Sequence, residues 1–307
     1  MSQFPPDPIR PRKPAFAALM SLVLPGFGQL YNGQLNKAIW LLLAGTLLSV
    51  PGLAAVALLL PAAAMMPALL ACTLAVLGLW LYGIADAWRA ARCLSAYVLP
   101  AWQVSGVYAL VFLLCDGLAL PLLTSAIRAH QVASFRIPSR SMEPGVLQGD
   151  ILFADRRYNC PDCASAVARG DVAIFTYPND RTRNYIKRVI ALPGDQVRIA
   201  GHTIWVNGTG LTLSEVSQGD SLLVTEHSGD RQWTVRWDAV APVSTPVDLT
   251  VPSGQVFVLG DNRGNSQDSR AFGTVPLQDV SGRARQIWLS LIPGGGIRWD
   301  RLGLVVH

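Results

Sequence analysis

The sequence predicts an N-terminal α-helical membrane region followed by a mostly-β extracytoplasmic domain, and three observations predict it. The 307-residue chain is 51% hydrophobic and only 15% charged, more apolar than an ordinary soluble protein. The excess sits at one end: no charged residue occurs from Ala38 to Ala85, and Asp116 is the only one between Cys93 and Ile127. Beyond about residue 130 the texture changes to short β-rich runs, turn residues and mixed charge, leaving about 175 residues, ample for a core of their own.

The head of the chain, 1–14, is basic and Pro-rich and reads as a disordered tail. It does not read as a cleaved secretory signal, because no short apolar run with a small-residue cleavage site precedes the apolar region. The membrane region covers 15–127. Its uncharged run from Ala38 to Ala85 would extend roughly 70 Å as one helix, against a hydrocarbon core of about 30 Å. Pro61 and Pro67 bracket a break, which gives spans near 38–60 and 66–86, and a third fits 105–125. The segment 15–31 is too short for a plain crossing and is cut by Pro25-Gly26-Phe27-Gly28. It reads as a re-entrant piece or an additional span. Its sequence through Gly33 resembles the glycine-rich turn of small two-helix membrane modules, a structural hairpin.

Arg10, Arg12 and Lys13 lie before the first apolar stretch, Lys37 after it, and Arg89 and Arg92 after the second span. Cationic flanks belong on the cytoplasmic side, and three spans satisfy that for all six. The β-rich domain then lies outside the cytoplasm; four spans would leave it inside. The net charge of +5 is mostly these flanking residues. It points to an anionic membrane surface and away from nucleic acid, since no basic stripe with interleaved aromatics is present. Asp116 is the one intramembrane acid, and a carboxyl hydrogen-bonded within the bundle accounts for it.

From 130 to 307 the signals are strand-like. Asp150–Ala154, Asp171–Tyr177 and Tyr185–Leu192 are β-branched and aromatic runs bounded by turn residues. After the Pro193-Gly194-Asp195 turn come Gln196–Ala200 and Thr203–Val206, the latter leading into Asn207-Gly208, a strong hairpin signal. Trp233–Trp237 alternates and Gln255–Leu259 is a buried apolar run. Asn207-Gly208-Thr209 also matches a glycosylation sequon, which the turn explains without modification. Cys160-Pro161-Asp162-Cys163 lacks the second pair a zinc site needs, so outside the cytoplasm a short-range Cys160–Cys163 disulfide is the plain reading. No metal and no cofactor are expected.

Three segments carry chemistry: Pro138-Ser139-Arg140-Ser141-Met142-Glu143-Pro144, Tyr185-Ile186-Lys187-Arg188, and Gly260 through Arg270. They offer serines and a lysine but no histidine; His130, His202, His227 and His307 are isolated from them. A serine hydroxyl needs a base to become a nucleophile. Lysine can serve if burial depresses its pKa, as in Ser–Lys variants of the triad.

These residues resemble a known family. Phe135 through Pro144 with Gly149-Asp150 is similar to the serine box of type I signal peptidases, and Arg169-Gly170-Asp171-Val172 to their next strand. Tyr185 through Asp195 resembles their lysine box. Gly260 through Arg270, with Gly282-Arg283-Ala284, resembles their last box. The boxes follow the family's order, and the lysine places the resemblance with the bacterial branch.

The resemblance implies a signal-peptidase-like β fold and a membrane-bound serine endopeptidase. Such an enzyme removes signal peptides from exported preproteins, cleaving after small residues of A-x-A type, at the bacterial cytoplasmic membrane. It implies Ser141 as nucleophile and Lys187 as general base, with Ser139 adding a hydroxyl to the oxyanion hole. Ser266 would hold the lysine amine, and Asp268 and Arg270 would brace the loop as an ion pair. Phe135, Ile137, Pro138, Met142, Val146, Tyr185 and Ile186 would line shallow apolar pockets. The expected partners are preproteins and the lipid bilayer. The alternatives are a Ser–Lys peptidase maturing one dedicated substrate, or an inactive protease-like membrane binding module. Arg140 stands where glycine is common and Gly264 where an acid is frequent, and the multi-span region exceeds the family's usual anchor.

Overall fold

The computed structural model describes residues 11–159, 166–238 and 246–306. The chain forms two compact units, residues 1–128 and 129–307.

The first unit is helical. Pro14, at the first helical position, starts α1 (Pro14–Val23), where its missing N–H costs nothing. Gly26, at φ +94°, turns the chain into the single turn α2 (Phe27–Tyr31), in a backbone region that disfavours other residues. Then follow α3 (Leu35–Leu48), α4 (Val50–Leu59) and α5 (Ala62–Cys93). The last helical run is α6 (Ser105–Phe112), a π-helical stretch Leu113–Ala119 containing Asp116, and α7 (Leu120–His130).

Among the described residues three helical stretches are long and apolar enough to cross a membrane: Leu35–Leu59, Ala63–Cys93 and Ser105–His130. Pro67 lies inside α5 instead of bounding it, at the cost of one main-chain hydrogen bond. The short α1 packs against α2 and α5 through small residues. A Cβ on Gly28 would lie 2.2 Å from the Ala17 carbonyl oxygen and 2.5 Å from the Ala87 Cβ.

The second unit is built from antiparallel strands. A seven-stranded sheet has the order β1-β2-β14-β3-β4-β12-β13. Its members are β1 (Val132–Arg136), β2 (Asp150–Asp155), β3 (Val172–Thr176), β4 (Asn184–Ala191), β12 (Gln255–Leu259), β13 (Val275–Pro276) and β14 (Val280–Ser290). A four-stranded sheet runs β11-β5-β6-β7, from β5 (Gln196–Ala200), β6 (Thr203–Val206), β7 (Thr209–Gly210) and β11 (Val247–Thr250). A three-stranded ribbon pairs β8 (Thr212–Gln218), β9 (Ser221–Ser228) and β10 (Arg231–Asp238). One helical turn, α8 (Ser269–Phe272), follows β12.

The mostly-β expectation holds, and each strand read from the sequence is present. Asn207 and Gly208 both take positive φ, at 51° and 78°, as a tight hairpin between β6 and β7 requires. The core divides into apolar clusters that share the strands. One gathers Ile137, Met142, Val146, Leu152, Ile174, Ile186 and Ile287, with Phe135 packed on it. Another gathers Ala173, Phe175, Val189, Val256 and Val258. β4 lies between β3 and β12 and is buried along most of its length, so charged side chains on it must be paired or neutralised.

Candidate active site

The site is assembled where β4 passes the loop joining β1 to β2. Register places Lys187 opposite Ala173 and Arg188 opposite Val172. The β1–β2 loop is held by Ile137 N–H to the Asp150 carbonyl at 2.8 Å and by Val146 N–H to the Met142 carbonyl at 2.9 Å. Its serines are presented to β4 from one side. From the other, the loop after β12 donates the Asn262 N–H to the Ser141 carbonyl at 3.1 Å. Gly260 permits that approach: a Cβ there would lie 2.5 Å from the Ser141 carbonyl oxygen and 2.1 Å from the Ser266 hydroxyl.

The Lys187 amine lies 2.7 Å from Ser141 Oγ and donates to the Ile186 carbonyl at 3.0 Å. Ser139 Oγ is 3.3 Å from Ser141 Oγ. Lys187 is only 4% exposed and Ser141 9%. Burial pushes the Lys187 amine down to about 8, against the pull of the Asp268 and Asp261 carboxylates, which favour its charged form. Desolvation wins because neither acid reaches the amine in an ion pair, among the described residues.

The surrounding cations are treated differently. Arg188 forms a two-pronged pair with Asp261 at 2.8 and 2.6 Å, and both side chains are closed from solvent. Arg263 pairs with Glu226. Arg270 pairs with Asp268 at 2.8 Å, and Asp268 also accepts the Gly260 N–H at 3.0 Å. Burial would raise the Asp268 carboxyl, but Arg270 and the Gly260 amide outweigh it and hold it below the ordinary range. The guanidinium groups are thus held in fixed pairs, while the Lys187 amine has no carboxylate in ion-pair contact among the described residues.

The site residues read from the sequence fall into three groups. Ser139, Ser141 and Lys187 converge, and Asp268 and Arg270 form the ion pair that the resemblance implied. Phe135 packs at the edge of the apolar cluster that contains buried Ile137 and Ile186, Pro138 is exposed, and the Tyr185 ring stacks on Tyr177 with centroids 4.3 Å apart. Met142 and Val146 are each 1% exposed, so they back the serine loop from within the core instead of lining an open pocket. Ser266 is buried beside Gly260, where its side chain helps hold the Asp268 carboxyl below the ordinary range, and the hydrogen bonds of the Lys187 amine run to Ser141 and Ile186. Cys160 and Cys163 lie outside the described residues.

Sequence reasoning missed Asp261, Asn262, Arg263 and Glu226. The arginine next to Lys187 and the Asp261-Asn262-Arg263 run were available signals for buried pairing. Nothing in the local sequence marks Glu226, a lone acid on a solvent-edge ribbon that turns inward to Arg263 and to the Trp233 indole N–H at 2.9 Å.

An antiparallel β-domain that brings a serine hydroxyl onto a buried amine, in a chain with three long apolar helices, defines a membrane-anchored hydrolase. The model of the family "Signal peptidase, peptidase S26" matches residues 110–289, and the chain belongs to that family. Signal peptidase I of Pseudomonas aeruginosa is 32% identical over 190 residues, covering 53% of this chain and 67% of the relative. Signal peptidase I of Rickettsia typhi is 29% identical over 211 residues, covering 58% and 77%. A crystal structure of a signal peptidase I from Enterococcus faecalis is similar over 38% of this chain and 95% of that one. That likeness has 32% identity and a TM-score of 0.26, a score too low to bear on the fold.

Proposed function

We propose that this chain cleaves signal peptides from exported preproteins with Ser141 as nucleophile and Lys187 as general base. One observation carries the reading: the 2.7 Å contact between the Lys187 amine and Ser141 Oγ, made by an amine that burial has brought near neutral pH. A base must stand within hydrogen-bond reach and have a pKa close to the working pH, and this one meets both conditions.

The neutral amine takes the Ser141 Oγ proton as Oγ attacks the scissile carbonyl carbon. The resulting oxyanion is held by the Ser141 backbone N–H and the Ser139 hydroxyl, each worth about 3 kcal/mol in such sites. Collapse breaks the C–N bond, and the Lys187 ammonium returns its proton to the leaving amine. Water then attacks the acyl–enzyme with the amine again as base, freeing the signal peptide and Ser141. Asp268 and Arg270 fix the loop whose glycine adjoins Ser141. The apolar surface around Phe135, Ile137 and Ile186 suits small side chains before the cleaved bond, in keeping with an A-x-A-type site.

Residues 15–127 are the membrane region in this reading and 130–307 the peptidase domain. The cationic flanks at Arg12, Lys13, Lys37, Arg89 and Arg92 support a cytoplasmic N-terminus and an extracytoplasmic domain. The test is cleavage of a preprotein panel by the full chain in lipid vesicles, with product N-termini determined. Cleavage after small residues, lost in Ser141→Ala and Lys187→Ala, is the expected result. Full turnover by either variant overturns the assignment, and cleavage of a single member of the panel favours a dedicated maturation peptidase.

A further inference from the structure

Beside Ser141 lies a polar cleft of about 360 Å³ lined by Arg140, Arg236, Asp238, Asn262, Gly264 and Asn265. None of these residues belongs to the apolar cluster that contains Ile137, Met142 and Ile186. The two surfaces meet at the serine loop, where Arg140 immediately precedes Ser141.

Three features mark the cleft as built to receive a ligand. Asn262 is 4% exposed. Its N–H goes to the Ser141 carbonyl and its side-chain amide donates to the Arg140 carbonyl at 3.1 Å. That leaves Oδ1 buried with no donor among the described residues, a condition that costs about 1–3 kcal/mol.

β10 turns Trp233, Val235 and Trp237 into the core, so the alternate positions Arg236 and Asp238 share its other face. Arg236 Nε donates to the Ser221 hydroxyl at 2.9 Å. The Asp238 carboxylate makes no hydrogen bond or ion pair among the described residues. Gly264 makes its position possible, because a Cβ there would lie 2.2 Å from Asp238 Oδ2. The position where the family frequently carries an acid is thus empty of side chain and is filled by an acid from another strand. Arg140 is steadied at the rim by two bonds to Glu143, at 2.9 and 3.2 Å.

We propose that this cleft receives the first two residues of the mature chain, on the amine side of the cleaved bond, and selects polar side chains there against large apolar ones. The inference rests on the reading of Ser141 as the cleaving nucleophile. Small residues before the bond lie on the apolar surface, so the peptide crosses Ser141 and runs into the polar wall. A serine or glutamine exchanges water for the Asn262 carbonyl, Arg236 and Asp238. A leucine strips water from both charges and returns nothing, which is costly.

Peptides identical up to the cleaved bond, followed by Ser-Gln or Leu-Leu, test this with the full chain. The expected kcat/KM favours Ser-Gln by about tenfold, and the ratio falls toward one when Arg236→Ala and Asp238→Ala are combined. Equilibrium binding of both peptides to the Ser141→Ala chain reads the same preference without turnover. Equal rates and equal binding in the parent site overturn the cleft while leaving the cleavage reading intact. A preference that survives the double substitution also overturns it. Ordered binding with no cleavage by the parent chain sinks the catalytic assignment instead, and leaves the cleft as a peptide-binding surface.

Discussion

The helical unit and the β unit both bury polar side chains, and they satisfy them by different means. In the helical unit Gln29 donates to the Gly83 carbonyl at 2.7 Å, and Asn32 to the Ala87 carbonyl at 2.8 Å. Ser21 accepts the Gly28 N–H at 3.0 Å. These are neutral side chains tied mostly to main chain, and they knit α2 to α1 and α5. In the β unit the buried polar groups are mostly ions, and Arg188, Arg263 and Arg270 each have a carboxylate. Lys187, next to Arg188 on the same strand, has none in ion-pair contact among the described residues. The contrast teaches where chemistry resides: a paired ion or a bonded amide supports structure, whereas an amine buried without its counter-ion stays near neutrality and can take a proton.

The most severe way to break the contrast is to give Lys187 the property of its neighbour. Lys187→Arg keeps the charge and most of the length, but a guanidinium does not deprotonate in proteins. Turnover should fall at least about 10⁴-fold, the range seen when a member of a serine triad is lost. Raising the pH should not restore it. Measurable recovery at alkaline pH would show that some other group takes the serine proton.

Breaking a pair should instead strike stability. Asp261→Asn leaves Arg188 buried opposite a neutral amide, and removing one partner of a buried pair costs about 3–5 kcal/mol. Chemical or thermal unfolding of the full chain in detergent should register that loss for the β unit. A change below about 1 kcal/mol, the size of a surface pair, would mean that water reaches Arg188.

The amine can also be examined through pH. Its folded pKa of about 8 lies below the ordinary lysine value of 10.5, so the unfolded chain binds the proton more readily. Stability from this group therefore rises with pH between about 8 and 10.5 and is reduced below 8. The rate should climb with pH and level off above about 8, as the amine becomes neutral. Lys187→Met should stabilise the chain at pH 7 by up to about 3 kcal/mol, with the gain fading by pH 11. A pH-independent gain would assign the effect to packing instead of charge.

How much of this was legible in the sequence follows from the range of the forces involved. The strands around Ile174, Ile186 and Val258 announce themselves because β-branched and aromatic residues form short apolar runs between turns. Ser141 and Lys187 stood out because their boxes are contiguous runs, each shaped by one loop or strand. Pairings between distant segments left little trace. Glu226 reaches Arg263 across 37 positions, and β8, exposed along most of its length, carries no burial pattern for a reader to find.

The smallest expected effect sharpens the other side of the comparison. Gln29→Leu removes a side-chain amide that bonds to Gly83 and, at 3.1 Å, to Asp86, and it leaves the Ser–Lys pair untouched. The Ser21 hydroxyl also loses its bond to the Gln29 carbonyl oxygen, and each neutral bond lost costs about 1 kcal/mol. Asp86 keeps its 3.0 Å pair with Lys37, so no buried charge is stranded. Proteolysis between α1 and α3 should become faster in vesicles, while cleavage of a soluble peptide at Ser141 keeps its rate and its pH profile. If that pH profile moved, the buried amides of the helical unit would be tuning the catalytic amine, and the separation of structural from chemical polar groups would not hold.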